Sequence, residues 1–145
     1  MFNVREAVLA DLDQIVSMIS DMRQDSRYSC LSLDEKKLSD FVYNTIESDS
    51  FLVLTTDYGG VFIGCVSPHF FSQDLIATDV VNFVPKSLRG KGLGKVFLEE
   101  FSSWAKGANA KLVQVGISTG IKSEKVFNMY ESAGFKHFGY LFEVM

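Results

Sequence analysis

Length, composition and charge place the chain among small folded proteins. It has 145 residues, 47% of them hydrophobic, thirteen Phe and a net charge of −4. The apolar content excludes a disordered chain, and the length predicts one domain over residues 1–145 with room for a core. The acidic balance argues against a nucleic-acid partner and favours a cationic partner or substrate.

Targeting and metal-binding signals are not found in the sequence. No apolar run approaches the roughly 20 residues that span a bilayer, and the N-terminus lacks a basic stretch followed by an apolar one. Cys30 and Cys65 have neither metal-ligand spacing nor a disulfide framework. We therefore expect no membrane contact, no metal and two reduced thiols in a cytoplasmic protein.

The chain opens with a predicted strand and a predicted helix. Residues 2–6 have strand character, and Asp11 with Gln14 forms a plausible capping pair. Apolar residues at helical spacing follow this pair and predict the first helix. Residues 21–33 are polar and lose that period, which predicts a connection.

A second helix and a hairpin are predicted next. Ser32 and Glu35 match a capping box before another apolar stripe of helical spacing. Residues 51–56 and 61–66 are strand-like and are separated by the turn sequence Asp-Tyr-Gly-Gly. Two such runs around a glycine turn predict an antiparallel pair.

The following elements alternate between strand and helix. His69 to Asp74 is a predicted loop, and residues 76–84 form an apolar run rich in β-branched side chains. Apolar residues from Leu93 to Ala105 recur at steps of three and four, which predicts a helix that ends near residues 107–109. Residues 112–117 then predict another strand.

The last elements complete the predicted order. Ser123 is a candidate N-cap for a helix, and Gly134 takes the position after its end that favours a left-handed backbone. Residues 136–144 predict a final strand. The order β-α-α-β-β-β-α-β-α-β, with hairpins and crossover helices, predicts an α/β protein with a mixed sheet.

A glycine-rich turn between a predicted strand and helix stands out by its charge. Lys86, Arg89, Lys91 and Lys95 bring four positive charges into ten residues of an otherwise acidic chain. Successive backbone N–H groups and the positive end of a helix dipole make such a turn an anion site. The alternative is an ordinary turn with solvated lysines.

Glycine spacing distinguishes between known phosphate-binding patterns. The sequence does not match a P-loop, which would need Gly at position 89, where Arg stands, and Ser or Thr at position 96, where Val stands. The even spacing of Gly90, Gly92 and Gly94 does not fit the dinucleotide fingerprint. The third pattern, Arg-x-x-Gly-x-Gly, is met, and it resembles the acetyl-coenzyme A pyrophosphate loop of the GNAT acetyltransferase superfamily.

Further stretches extend this resemblance to nearly the whole chain. Residues 130–135, Tyr-Glu-Ser-Ala-Gly-Phe, are similar to the late Tyr-x-x-x-Gly-Phe signature of the family. Residues 4–12 resemble its opening strand and first helix. Residues 26–34 are similar to those of small bacterial and phage-encoded members of unassigned substrate. The resemblance implies a GNAT-like fold in three layers.

Two departures from the family pattern qualify the resemblance. Pro85 lies four residues before Arg89 where the family commonly has three, so we expect a bulge where the strand meets the loop. Ser123 stands where the family usually has Asn, on the cofactor side of the last helix.

The resemblance implies acetyl transfer from acetyl-coenzyme A to an amine. A backbone N–H at Val84 would polarise the thioester carbonyl. The strand end at Phe83 and Val84 would separate from the strand of residues 112–117, and the pantetheine arm would lie in the gap. No metal is implied. The expected cofactor-binding residues are Phe83, Val84, Leu88, Arg89, Gly90, Lys91, Gly92, Leu93, Gly94, Lys95 and Ser123.

Three side chains are candidates for the chemistry. The resemblance nominates Tyr130 for the leaving thiolate. A Tyr of pKa ~10 gives its proton to a thiolate of pKa ~8.5 only uphill, by about 2 kcal/mol, so we expect it to donate a hydrogen bond instead. Asp79 and His69 are alternative general bases for the acceptor ammonium.

The acceptor and the assembly are left open by the sequence. The family binds acceptors near the connection between its first two helices, which here places Arg27 and Tyr28 in a substrate loop. A small amine and a protein amino group are both compatible, and the chain could be a monomer or a homodimer. The alternative function is a catalytically idle acyl-coenzyme A-binding, regulatory or virion-associated protein.

Overall fold

The computed structural model describes residues 2–144 as a five-stranded sheet with helices on both faces. None of the helices within these residues is long and apolar enough to cross a bilayer. The elements in chain order are β1 (Arg5–Glu6), α1 (Leu12–Asp25), α2 (Glu35–Glu47), β2 (Phe51–Thr55), β3 (Val61–Pro68), β4 (Leu75–Phe83), α3 (Leu93–Gly107), β5 (Leu112–Gln114) and α4 (Ser123–Ser132).

The strands lie side by side in the order of the chain, from β1 to β5. The first three neighbouring pairs are antiparallel, and β4 and β5 are parallel. The parallel pair follows from the crossover through α3, since a helix between two strands brings them side by side in the same direction. The predicted mixed α/β sheet is confirmed.

Each face of the sheet is covered by two helices. On one face Ile15 of α1 and Val42 of α2 pack with Ile63 of β3, and all three are fully buried. On the other face Phe97 and Phe101 of α3 are equally buried in a cluster that also contains Tyr130 of α4. The three-layer arrangement follows from the apolar stripes of the helices.

A bulge interrupts the pairing of β3 with β4. Ile63 pairs with Val81, whereas the next residue, Gly64, pairs with Asp79, so Val80 has no partner in the ladder. The sequence predicted a bulge near Pro85, where the strand meets the loop. The extra residue lies inside the strand instead, and the side chains on either side of it change face.

Two predicted strands are shorter than expected. The first covers Arg5–Glu6 rather than residues 2–6, and β5 covers Leu112–Gln114 rather than residues 112–117. β5 stops early because its continuation turns away from β4. This separation opens the cavity described below.

The predicted start of α2 is also corrected. Asp34, not Ser32, caps this helix, and its carboxylate accepts a hydrogen bond of 3.0 Å from the Lys37 N–H. Asp11 accepts a bond of 2.8 Å from the Val8 N–H and forms an ion pair with Arg5. It closes a 3₁₀ turn ahead of α1 and therefore does not cap that helix with its side chain.

The predicted final strand is wrong. Residues 136–144 adopt no regular secondary structure and lie along the surface. β5 has only three residues with which a further strand could pair, and this edge is too short for a strand of nine residues. The stretch is held at its end by an ion pair between Glu143 and Arg27.

Candidate functional site

A cavity lies where β4 and β5 separate. The parallel register runs from Ile76 opposite Leu112 to Thr78 opposite Gln114 and ends there. Beyond this point the two backbones diverge around a cavity of about 720 Å³. A cavity at the carboxyl ends of parallel strands is the usual place for a ligand in an α/β protein.

The glycine-rich turn forms one wall of this cavity. Gly90 and Gly92 have φ values of +77° and +85°, which only glycine adopts freely, and a Cβ on either would meet nothing within 4 Å. The first helical bond of α3 is donated by the Val96 N–H to the Gly92 carbonyl. The N–H groups of residues 93–95 therefore point out of the helix end.

Gly94 is required for a different reason. A Cβ there would lie 3.0 Å from Cε of Met129, so the missing side chain lets α3 and α4 approach each other. The open backbone at the turn and the close packing behind it leave room for a ligand against the N-terminus of α3.

The rim of the cavity near this turn is positive. Lys86 and Lys95 come from the turn itself, and Lys122 and Lys125 from the start of α4. Arg89 is held in the turn because its Nε donates a 2.8 Å bond to the Val84 carbonyl. Several cations and a helix N-terminus at one point favour a polyanionic group.

The centre of the cavity holds two polar side chains, Asp79, which is half-buried, and Tyr130, which is buried. The Gly116 N–H donates a bond of 3.1 Å to Oδ1 of Asp79, and the Tyr130 hydroxyl donates one of 3.0 Å to the Gly116 carbonyl. Side chains from β4 and α4 thus hold Gly116, the second residue after the end of β5. Asp79 and Tyr130, which are distant in sequence, thus meet at one point.

Both side chains have raised pKa values. Burial raises the pKa of Asp79 to about 6, partly opposed by the Gly116 N–H. Burial, and then the charge of Asp79, raise the pKa of Tyr130, while a hydrogen bond with Asn82 opposes the rise. At neutral pH the carboxylate is mostly ionised and the phenol keeps its proton.

The bulge explains why Asp79 and Asn82 share a face. Strand residues three apart normally point to opposite faces. Val80 is the extra residue between them, so both side chains lie on the α3 and α4 side of the sheet and line the cavity. Sequence reasoning missed Asn82, because a bulge leaves no mark in a run of β-branched residues.

Most of the expected cofactor-binding residues come together at the cavity. Lys91 and Ser123 do not line it: Lys91 is exposed on the outside of the turn, and Ser123 begins α4 after Lys122. The expected residues that do line the cavity are Phe83, Val84, Leu88, Arg89, Gly90, Gly92, Leu93, Gly94 and Lys95.

His69 is not placed for catalysis. It lies at the tip of the β3–β4 hairpin, packed at 4.7 Å and 4.2 Å between ring centroids against Phe70 and Phe71. This tip is at the opposite end of β4 from Val84, so His69 does not line the cavity. We therefore drop His69 as a candidate base.

The expected substrate loop lies beside the cavity but not in its wall. Residues 27–30 form a 3₁₀ turn after α1, and the Arg27 N–H donates a 2.8 Å bond to the Thr119 carbonyl. Thr119 does line the cavity. Arg27 and Tyr28 thus contact the wall from outside, while Met22 of α1 reaches the cavity itself.

The lysines of α4 and part of the segment after β5 were also missed. Lys122 and Lys125 gave no signal because two lysines beside a helix start normally indicate only a solvated end. Residues 116 and 117 were expected as the end of the strand that separates from its neighbour to admit the pantetheine arm, and residues 118 and 119 as a loop with no named role. Their importance depends on the separation of β4 and β5, which is a tertiary feature.

Solved structures similar to this chain are mostly acetyltransferases of the GNAT fold. One, described as a transcriptional regulator from Bacillus halodurans C-125, matches with a TM-score of 0.76 and 22% identity over 99% of this chain and 100% of its own. Glucosamine-6-phosphate N-acetyltransferase from Arabidopsis thaliana matches with a TM-score of 0.75 and 15% identity, over 100% of this chain and 98% of its own. A predicted acetyltransferase with acetyl-CoA from Clostridium acetobutylicum matches with a TM-score of 0.74 and 15% identity, over 100% of this chain and 96% of its own.

These similarities establish the fold. The chain has the fold of the GNAT acetyltransferases, as its motifs predicted. A scan against protein-family models and a search of curated proteins found no match.

Proposed function

We propose that the chain is an acetyl-coenzyme A-dependent N-acetyltransferase that acts on an amine. The observation that carries the proposal is one continuous cavity with a cationic, N–H-rich mouth at α3 and a half-buried carboxylate, Asp79, at its centre. A long donor with a diphosphate at one end and a reactive group at the other fits this polarity. The fold, shared with acetyltransferases, supports the same reaction class.

The donor would be held mainly by backbone groups. The N–H groups of residues 93–95, with the left-handed turn at Gly90 and Gly92, would bind the diphosphate. The remaining N–H groups of Arg89 and the lysines of the rim would add charge. When bound, acetyl-coenzyme A supplies the thioester, and the gap beyond Thr78 and Gln114 is where its narrow arm fits.

Asp79 has the position and the ionisation of a general base. Its Oδ1 accepts the Gly116 N–H, which leaves Oδ2 for the acceptor. A carboxylate with a pKa of about 6 is charged at neutral pH, so it attracts a cationic amine and takes the proton that the ammonium must lose before its nitrogen can attack. The nitrogen releases its second proton to solvent after the attack. In the transfer a C–N bond forms, the C–S bond breaks and the sulfur leaves as a thiolate.

Tyr130 would assist the thiolate without giving up its proton. The raised pKa of the hydroxyl makes full proton transfer to sulfur less favourable than for an ordinary Tyr. The hydroxyl donates its one hydrogen bond to the Gly116 carbonyl in this structure; donated to the thiolate instead, that bond would stabilise the charge of the sulfur. This is the role that the sequence predicted for Tyr130.

The test is thiol release from acetyl-coenzyme A in the presence of a panel of amines. The panel holds small primary amines, polyamines and peptides with free amino groups, and binding of acetyl-coenzyme A is measured in parallel by calorimetry. Turnover on at least one amine supports the transferase. Binding without turnover on any acceptor supports the idle acyl-coenzyme A-binding protein, and no binding refutes both.

A further inference from the structure

The separation of β4 and β5 is held by side chains as well as by the backbone. A parallel pair keeps its strands about 4.8 Å apart through N–H to carbonyl bonds. After Thr78 and Gln114 these bonds end. The Gly116 N–H is bound by a carboxylate of β4, Oδ1 of Asp79, where the ladder would have supplied a β4 main-chain carbonyl.

A side chain in this position keeps the strands further apart. A carboxylate oxygen reaches further from its own Cα than a main-chain carbonyl oxygen does, so the bond to Gly116 crosses a wider gap than a ladder bond. The Gly116 carbonyl is held as well, by the hydroxyl of Tyr130. Both polar groups of this residue are therefore fixed by side chains from neighbouring elements.

We propose that Asp79 is a positioning residue, which fixes the end of β5 through the Gly116 N–H and so sets the width of the gap that admits the donor. This role rests on the proposed function and is separate from that of a base, because it uses Oδ1 and requires no charge. The bulge at Val80 makes it possible, since it turns Asp79 and Asn82 to the same face.

The two roles of Asp79 are separable by substitution. Asp79→Asn keeps an Oδ1 that can accept the Gly116 N–H but removes the base. Asp79→Ala removes both. If Asp79 is only a general base, the two variants should bind the donor equally well. If it is a positioning residue, Asp79→Asn should keep the donor affinity that Asp79→Ala loses.

The first measurement needs no ligand. Amide hydrogen exchange of Gly116 is followed by NMR in the unliganded protein, and we expect it to be at least about tenfold faster in Asp79→Ala than in the wild type or Asp79→Asn. Asp74→Ala serves as the matched control, because Asp74 is an exposed carboxylate before β4 and outside the cavity, and its exposed ion pair with Lys111 lies at the start of β5, away from Gly116. It should leave the exchange of Gly116 unchanged.

The second measurement is the affinity for acetyl-coenzyme A by calorimetry. We expect a Kd within about twofold of the wild type for Asp79→Asn and Asp74→Ala, and a rise of about tenfold for Asp79→Ala. Equal Gly116 exchange in Asp79→Ala and the wild type would overturn the proposal, and so would unchanged affinity in Asp79→Ala. If the wild type binds no acetyl-coenzyme A, the proposed function fails, and the exchange measurement alone decides whether Asp79 fixes β5.

Discussion

Asp79 couples the stability of the protein to pH because its pKa is raised in the folded state. Its pKa of about 6 is above the usual value of 3.8, to which unfolding returns it. Between these values the folded state binds the proton more tightly, so the free energy of unfolding falls as pH rises. Tyr130, the titratable neighbour from α4, stays protonated throughout this range.

We predict that Asp79 lowers the free energy of unfolding by about 2–3 kcal/mol as the pH rises from about 4 to about 6.5, because each unit of pKa difference corresponds to about 1.4 kcal/mol. Asp79→Asn should lack this contribution and be the more stable protein at neutral pH. Urea unfolding of both proteins across the range measures the difference. The same pH dependence in both would show that Asp79 is not buried as described.

Tyr130 should contribute to turnover more than to binding. Tyr130→Phe removes the hydroxyl that would hydrogen-bond the thiolate, whereas Asp79 still holds Gly116. We predict a fall in kcat of about tenfold or more, with the Kd for acetyl-coenzyme A changed by only a few-fold. Steady-state kinetics with calorimetry tests this, and an unchanged kcat would remove the leaving-group role.

At the scale of an element, the turn before α3 should determine donor binding. Gly92→Glu places a bulky negative group in open space beside the N–H groups of the helix end. We predict that the affinity for acetyl-coenzyme A falls at least about 100-fold, because like charges meet there.

Gly92→Ala is the control for backbone strain at this position. Its Cβ meets nothing within 4 Å, but the φ of +85° is unfavourable for it, at about 1 kcal/mol. We expect lower stability and a much smaller loss of affinity than with Glu. Equal losses in the two variants would mean that the turn matters for folding and not for the donor.

The packing of α3 on the sheet depends on Gly64 of β3. A Cβ at this position would lie 2.5 Å from Cε1 of Phe101, which is fully buried. We predict that Gly64→Ala lowers the free energy of unfolding by about 1–3 kcal/mol, as overpacking does. Chemical denaturation measures it.

Gly107 provides the comparison for Gly64. It ends α3, and a Cβ there would meet nothing within 4 Å. Gly107→Ala should be neutral or stabilise by up to about 1 kcal/mol, because Ala loses less backbone entropy in a helix. A loss of stability as large as that of Gly64→Ala would contradict the packing argument.

At the scale of the whole molecule, the hairpin tip and the cavity are far apart. Four residues of β4, 75–78, separate the hairpin tip from Asp79, the first residue of this strand that lines the cavity, a distance of roughly 15 Å at the rise of a strand. We predict that His69→Ala leaves kcat and the affinity for acetyl-coenzyme A within about twofold of the wild type. A large fall in kcat in a folded His69→Ala protein would return His69 to the site.

The sequence predicted the layers of the fold because its signals there are local. The stripe from Leu93 to Ala105 and the glycines of the turn are enough to predict α3 and a candidate anion site. The final strand at residues 136–144 was wrong, since alternating aromatic residues predict a strand only where a sheet edge can receive one. β5 offers only Leu112–Gln114.

The centre of the site was less accessible to sequence reasoning. Asp79, on the predicted strand that enters the site, and His69, in or near a predicted loop, were both named as candidate bases, and the sequence did not choose between them. The distinction came from the bulge at Val80 and from the contact with Gly116, which join residues from β4 and the end of β5. Neither is encoded by a local pattern.

The bond between the Arg27 N–H and the Thr119 carbonyl ties together two segments that lie ninety-two positions apart in the chain. One segment follows α1, and the other forms part of the cavity wall. Grafting only one of them from another enzyme would break this main-chain tie. Engineering of a new acceptor preference should therefore transplant both segments as a pair.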